Sequence, residues 1–297
     1  MTSEMTTRKR APYGFEYMRL EVPDVAQAKA FYEYNVGLTV VDDEPGRVTL
    51  RADIEHHCVE LRQNPALAAM KVLALGFSAE SQDSLDDLRQ RVEDAGFPIG
   101  PIDDQMKPYI SDGFSTVDPN GFTLELVHEY QVFAEPPWIE IRPVDIVHPF
   151  LATPHFEESL AFYTDVLGFQ ASDYIAFQSA FLRGEDRYHH SLAMRKSESV
   201  ELAHVAFMMK SFDHVMRGFA RARYKGIDTG PGLVNHSASK SIAFYMDVPA
   251  FGPLIELCDG HVVLSPEQHE AHVPRRMSAD PRNIDVWRAA ADDWGLR

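Results

Sequence analysis

Short runs of alternating apolar and polar residues recur along the chain and are broken at intervals by helical periodicity. VDIVHPFLAT alternates as a strand, and FEESLAFYTDVLG carries an amphipathic stripe that stops at Gly168. Strand-like runs follow in YIAFQSAFLRG and HHSLAMR. The order then repeats, with ELAHVAFMM as a strand, SFDHVMRGFARARYKG as a helix, and SIAFYMDV and PLIEL as strands. A βαβββ order, repeated, predicts an α+β fold whose mixed sheets curve around an interior.

The first half of the chain carries the same pattern. YMRLEVPDVAQAKAFYEYNVGL (Tyr17 to Leu38) aligns with HPFLATPHFEESLAFYTDVLGF (His148 to Phe169) at an offset of 131. DAGFPIGP resembles RYKGIDTGP, and NGFTLEL, ending at Leu126, resembles FGPLIEL, ending at Leu257. An offset that holds over separate segments marks a duplication. The prediction is two tandem domains, each of two βαβββ modules forming a curved, barrel-like sheet. Their boundaries read as a mobile arm (1–13), a first domain (14–130), a linker (131–143), a second domain (144–260) and a C-terminal extension (261–297). The linker holds the prolines of AEPPW, and Trp287 and Trp294 are the expected packing anchors of the extension.

Charge narrows the partners. The 297 residues include 45 acidic and 28 basic side chains, a formal charge of −17. That surplus argues against a duplex nucleic-acid binder, which needs a basic face to displace counterions, and against a protein held on anionic membrane by basic residues. Two distant cysteines, Cys58 and Cys258, predict no disulfide framework and a reducing compartment. No apolar run reaches the ~18 residues of a membrane span, and no apolar segment follows the charged N-terminus as in a signal peptide. A cytoplasmic enzyme or binding protein is the expectation.

Histidine breaks the symmetry of the duplication: three of 13 precede residue 131 and ten follow it. His148 and His204 open equivalent strands of the second copy, and Glu256 lies in its last strand. Strands lining one concave sheet would bring two imidazoles and a carboxylate to one face of a metal, the arrangement of non-haem iron(II) oxygenases. Taken singly, each also reads as a hydrogen-bonded core or rim residue. The matching positions of the first copy are Tyr17, Ala74 and Glu125, so only the carboxylate is kept there and no metal is expected.

The motifs HPFLATPHFEESLAFYTDVLGF, RYHHSLA, LAHVAF, NHSASKSIAFY and LIEL together resemble the catalytic domain of the type I extradiol ring-cleavage dioxygenases of the vicinal oxygen chelate superfamily. That family includes enzymes acting on 2,3-dihydroxybiphenyl and on catechol. The resemblance spans essentially the whole chain, including the metal-free first copy. It implies iron(II), with manganese(II) as an alternative, held by His148, His204 and Glu256. It also implies His190 as the acid–base group, and His236 and Tyr245 as hydrogen-bond partners of the substrate's oxygens. The implied reaction is extradiol cleavage of an aromatic diol by dioxygen, in a homo-oligomer.

Some positions depart from the family pattern. PAFGPLIE has an extra residue and a second proline relative to DPNGFTLE of the first copy. Phe150 and Pro231 stand where members acting on acidic catechols place polar or cationic groups, which favours a neutral or hydrophobic substituent. Two alternatives stand beside this reading. One is another metal dioxygenase of the superfamily, of the hydroquinone or hydroxyphenylpyruvate type; the other is a non-catalytic small-ligand-binding protein. Elsewhere, Met208 and Met209 read as core and strand edge, and RKR at 8–10 as solvated. His155, His214, His261, His269 and His272 read as surface or tail residues, and His189 as pointing away from His190 along an alternating strand.

Overall fold

A computed structural model of the chain describes residues 9–287. The first domain runs β1 (Phe15–Val22), α1 (Val25–Phe31), β2 (Thr39–Glu44), β3 (Arg47–Arg51), β4 (Val59–Gln63), β5 (Lys71–Ser78), α2 (Gln82–Asp94), β6 (Asp112–Val117) and β7 (Thr123–His128). The second runs β8 (Pro143–Thr153), α3 (Phe156–Ala161), β9 (Gln170–Ile175), β10 (Ser179–Arg183), β11 (Leu192–Lys196), β12 (Glu201–Met209), α4 (Phe212–Tyr224), β13 (Leu233–Asn235), β14 (Ile242–Met246) and β15 (Leu254–Asp259). The extension adds α5 (Pro266–Ala271) and β16 (Arg275–Met277). The α+β class and the two-module plan are as expected, with one difference in the first domain. There the strand after α2 is reduced, among the described residues, to a single bridge between Gly100 and Ser115.

Each domain is one open, mixed sheet rather than a closed barrel. The strand orders are β2-β3-β4-β1-β5-β7-β6 and β13-β14-β15-β12-β8-β11-β10-β9-β16. The strands that open the two modules pair antiparallel at the centre, β1 with β5 and β8 with β12. Each then takes a parallel neighbour from its own module, β4 and β7 in the first domain, β11 and β15 in the second. Four strands from two modules therefore lie side by side at the centre of each sheet, which is where the site is built.

The helices pin the domains together. α1 and α3 each run on into a π turn, at Tyr32–Val36 and Phe162–Val166. Gly37 and Gly168 follow with φ of +89° and +86°, a conformation that a side chain would strain. Phe97, beyond α2, packs on Phe162 with ring centroids 4.5 Å apart, and Phe77 packs on Phe169 at 5.7 Å. Tyr163 donates to Asp118 across the boundary at 2.9 Å, and Arg221 of α4 donates to the Asn35 carbonyl at 2.8 Å. One apolar cluster runs through both domains.

Residues 9–13 were expected in a mobile arm, but they pack along this boundary. Ala11 is buried, Arg10 pairs with Glu80, and Glu185 and Asp186 donate backbone N–H groups to Pro12 and Tyr13. The reason is local: the strand edge around Gly184 leaves these carbonyls a partner. The extension differs too. Trp287 is 40% exposed, and the extension is held instead by polar contacts, among them Asp285, which accepts the Asn235 N–H at 3.1 Å. Trp294 lies outside the described residues. No helix among the described residues is long and apolar enough to cross a membrane.

Candidate active site

Strand register alone brings the three expected ligands together. Ala206 of β12 lies opposite His148 of β8 on one side and Glu256 of β15 on the other. His204 is two residues before Ala206, on the same face of the strand. The side chains meet above the sheet, with His148 Nε2 3.3 Å from His204 Nε2. Glu256 Oε2 lies 3.6 Å from His148 Nε2 and 3.2 Å from His204 Nε2. Donors held about 2.1 Å from a common octahedral centre would stand about 3 Å apart, so the spacing fits a divalent transition metal. Two imidazole nitrogens facing each other with a carboxylate are a donor set that leaves one face open.

The electrostatics favour the ligating forms. Burial drives the His148 pKa down to about 4, against the opposing pull of Glu256. Burial works to raise Glu256, but hydrogen bonds from His148, His204 and His236 more than offset it and hold the carboxyl well below its usual range. The ring is neutral and the acid ionised at neutral pH, as ligands must be.

His190, His236 and Tyr245 surround the same point. His190 Nε2 is 3.3 Å from His148 Nε2, and its pKa is held well below the ordinary value by burial and then by the neighbouring His148 and His261. The Tyr245 hydroxyl and His236 Nε2 are 3.0 Å apart, and His236 Nε2 is 3.4 Å from Glu256 Oε1. Burial and the charge of Glu256 push the Tyr245 pKa well above the phenol value, so its O–H stays a donor. For His236 burial works against the charged ring, yet Glu256 and the Ile284 carbonyl outweigh it and raise the pKa.

These groups line a cavity of about 320 Å³. Its walls include Phe150, Ile175, Phe181 and Leu254, with Ile284 of the extension over it. Phe150 stacks on His204 with ring centroids 4.7 Å apart. One cation, Arg195, stands exposed at the rim, a residue that reading Phe150 and Pro231 alone did not reveal.

Two histidines expected at the surface are buried. His261 sits against His190, ring centroids 4.5 Å apart, and accepts the His190 backbone N–H at 3.4 Å. Its Nδ1 has no hydrogen-bond partner among the described residues. With His148 and His190 it forms a second set of nitrogens within 4.8 Å of one another. His269 is buried beside Arg183, whose Nε donates to its Nδ1 at 3.2 Å. Both lie beyond the repeated unit, so no position in the first copy could have flagged them. His189 does turn from the metal face, toward Asp173.

The first domain fills the equivalent space. Tyr17 donates to Glu125 at 2.9 Å, and Arg19 donates to the other oxygen of Glu125 at 2.6 Å and to Glu60 at 3.0 Å. A Cβ on Gly76 would lie 2.2 Å from the Tyr17 ring, whereas the second domain has Ala206 at that position.

Comparison with known proteins agrees with this architecture. The family described as the glyoxalase/bleomycin resistance protein/dioxygenase superfamily matches residues 14–126 and 145–248. The chain is 28% identical over 269 residues to a 2,2′,3-trihydroxybiphenyl dioxygenase of Sphingomonas paucimobilis, covering 84% of this chain and 89% of that one. It is 25% identical to an iron-dependent extradiol dioxygenase of Rhodococcus jostii, over 91% of this chain and 94% of that one. The structure of a Mn(II)-bound glyoxalase from Novosphingobium aromaticivorans superposes with a TM-score of 0.82 at 28% identity, covering 93% and 91% of the two chains. With two matched segments that account for most of its length and the sheet plan on which they lie, the chain belongs to the glyoxalase/bleomycin resistance protein/dioxygenase superfamily.

Proposed function

We propose that the protein is an extradiol dioxygenase that opens the ring of a catechol-type diol, with its active site in the second domain. The observation that carries this is the meeting of two sets of groups in one apolar cavity: His148, His204 and Glu256 on one face, His190, His236 and Tyr245 around it. The names of the relatives, a trihydroxybiphenyl dioxygenase and an iron-dependent extradiol dioxygenase, support the same reaction class.

His148, His204 and Glu256 would hold iron(II), or manganese(II), through Nε2, Nε2 and a carboxylate oxygen. Bound there, such a metal supplies adjacent positions for diol and dioxygen and the redox activity that ground-state dioxygen requires. The protein's own groups do the rest. His190, neutral and buried, is suited to take a proton from a diol hydroxyl and return it when the ring opens. The Tyr245 hydroxyl donates to a substrate oxygen, and His236 holds that hydroxyl in place. Phe150, Phe181 and Leu254 exclude water and give the aromatic ring flat apolar contact. The apolar wall favours a neutral or hydrophobic substituent on the ring.

The test is oxygen uptake by protein loaded anaerobically with iron(II) and offered catechol, 3-methylcatechol and 2,3-dihydroxybiphenyl. The reading predicts stoichiometric uptake and a ring-opened, strongly absorbing product from at least one diol. Iron-loaded protein that consumes no oxygen across a broad diol panel contradicts it. His190→Ala should retain iron and lower kcat by about 10²-fold or more.

A further inference from the structure

The buried pair His189–His190 continues away from the metal face through a directed chain of hydrogen bonds. The Nδ1 atoms of the two rings are 3.1 Å apart. His189 Nε2 is 2.8 Å from Asp173 Oδ2, and Asp173, on β9, is fully buried. Arg275, from β16 of the extension, clamps that carboxylate: its backbone N–H (3.1 Å) and Nε (2.8 Å) donate to Oδ1, and Nη2 donates to Oδ2 at 2.5 Å. The cradle leaves Asp173 ionised. Burial works to raise its pKa, but hydrogen bonds from His189 and Arg275 more than offset this and bring it down to about 2.

The protons along the chain follow from what each atom can do. An ionised carboxylate only accepts, so the hydrogen between Asp173 and His189 sits on His189 Nε2. A neutral imidazole carries one N–H, so His189 Nδ1 is a lone pair. The bond between the rings then requires the hydrogen on His190 Nδ1. His190 Nε2 is left as a lone pair, and this is the nitrogen 3.3 Å from His148 Nε2.

We propose that Asp173, acting through His189, fixes the tautomer of His190 so that its unprotonated Nε2 faces the bound diol, with Arg275 as the clamp that holds Asp173. Asp173, His189 and Arg275 are positioning residues in this scheme; none touches the substrate. The proposal rests on the reading of His190 as the acid–base group.

The first domain supplies an internal control. β4 and β11 pair with β1 and β8 in matching registers, which sets His56–His57 in the place of His189–His190. The Nδ1 atoms of that pair are 2.9 Å apart, so the pairing belongs to the fold of both copies. Asp42, equivalent to Asp173, instead accepts from Thr49 at 3.0 Å and Tyr109 at 3.3 Å. The carboxylate link to the outer ring is found in the second copy, where an acid–base group is needed.

The test compares two substitutions in the iron(II)-loaded protein, with kcat, iron content and anaerobic diol affinity measured for each. His189→Phe keeps the ring volume but offers His190 no acceptor; it should lower kcat about tenfold or more while iron content and diol affinity stay unchanged. His189→Asn packs worse but places an amide oxygen near the lost Nδ1; it should stay within about threefold of the native kcat. A packing role predicts the reverse order, so an Asn variant as impaired as the Phe variant, or a fully active Phe variant, overturns the proposal. Should either core variant fail to fold, Arg275→Gln at the surface should lower kcat severalfold with iron retained, and an unchanged kcat overturns it. Full activity of His190→Ala would refute the acid–base reading itself, and with it this link.

Discussion

The two domains share one sheet plan and use the same positions for opposite ends. At the centre of the second, His148, His204 and Glu256 leave nitrogen and oxygen lone pairs facing a common point. At the same point in the first, Tyr17 replaces the first histidine, Ala74 the second, and Arg19 reaches across to Glu125. Arg19 stands where Phe150 stands in the second copy, and Glu60 where Ala193 stands. One copy surrounds an open, apolar cavity with a single ionised carboxylate; the other fills the space with an internally neutralised ion cluster of Arg19, Arg47 and Arg62 with Glu60, Asp103 and Glu125. The carboxylate common to both thus joins a group that could hold a metal in one setting and is a counter-ion in the other. Its identity says little without its neighbours.

The largest effect should come from breaking that shared carboxylate in each copy. Glu256→Gln removes the anionic ligand and should abolish stoichiometric iron(II) binding, measured as metal per chain after desalting. Glu125→Gln should leave metal content unchanged while lowering stability. Retention of iron by the Glu256 variant, or its loss from the Glu125 variant, would reverse the assignment of the two copies.

A smaller effect should follow from opening the filled copy. Arg19→Met leaves Glu125 buried without its counter-charge and takes one of three arginines from Glu60, which should cost about 3–5 kcal/mol by denaturant titration. Gly76→Ala drives a methyl into the Tyr17 ring and should cost about 1–3 kcal/mol. Ala206→Gly, at the equivalent position in the second domain, should cost about 1 kcal/mol. Equal losses at positions 76 and 206 would mean that the Tyr17 plug does not set the packing of the first domain.

The smallest effect concerns pH. Asp186 lies at the domain boundary, where Ser191 donates to it. Burial, opposed by Ser191 and joined by the charges of Glu16 and Glu185, pushes its pKa up to about 7. Its folded pKa is above the unfolded value of about 4, so its contribution is full below about pH 4 and is lost as pH rises through about 7. Glu16, pushed up to about 7 mainly by burial, acts in the same direction. Tm should fall between pH 5 and pH 8, and Asp186→Asn should flatten that fall. An unchanged slope in the variant would remove Asp186 as its source.

Much of this contrast is legible in the sequence. The repeat offset predicted the two-sheet plan, and the missing histidines at Tyr17 and Ala74 predicted which copy could hold a metal. What stayed hidden has a physical cause. Arg19 is one residue in an alternating strand and carries no signal of its own; Glu60 of β4 and Glu125 of β7 hold it buried. His261 and Arg275 lie past the last repeated strand: the first is placed where residues 262–264 bridge to Arg187, Tyr188 and His189, the second where the extension folds back as β16 beside β9. Asp173 sits 16 residues from His189 and meets it because β9 and β11 flank β10 in the sheet. Contacts made by sheet register across a duplicated unit can be read from the repeat; contacts made by an unrepeated tail cannot.

The most direct test is oxygen uptake on mixing an aromatic diol with iron(II)-loaded native protein and with iron(II)-treated His148→Ala. The account predicts one dioxygen consumed per diol opened by the native chain, and neither bound iron nor uptake by the variant. Iron-loaded native protein that opens no diol, or a variant that turns over as the native chain does, would contradict it.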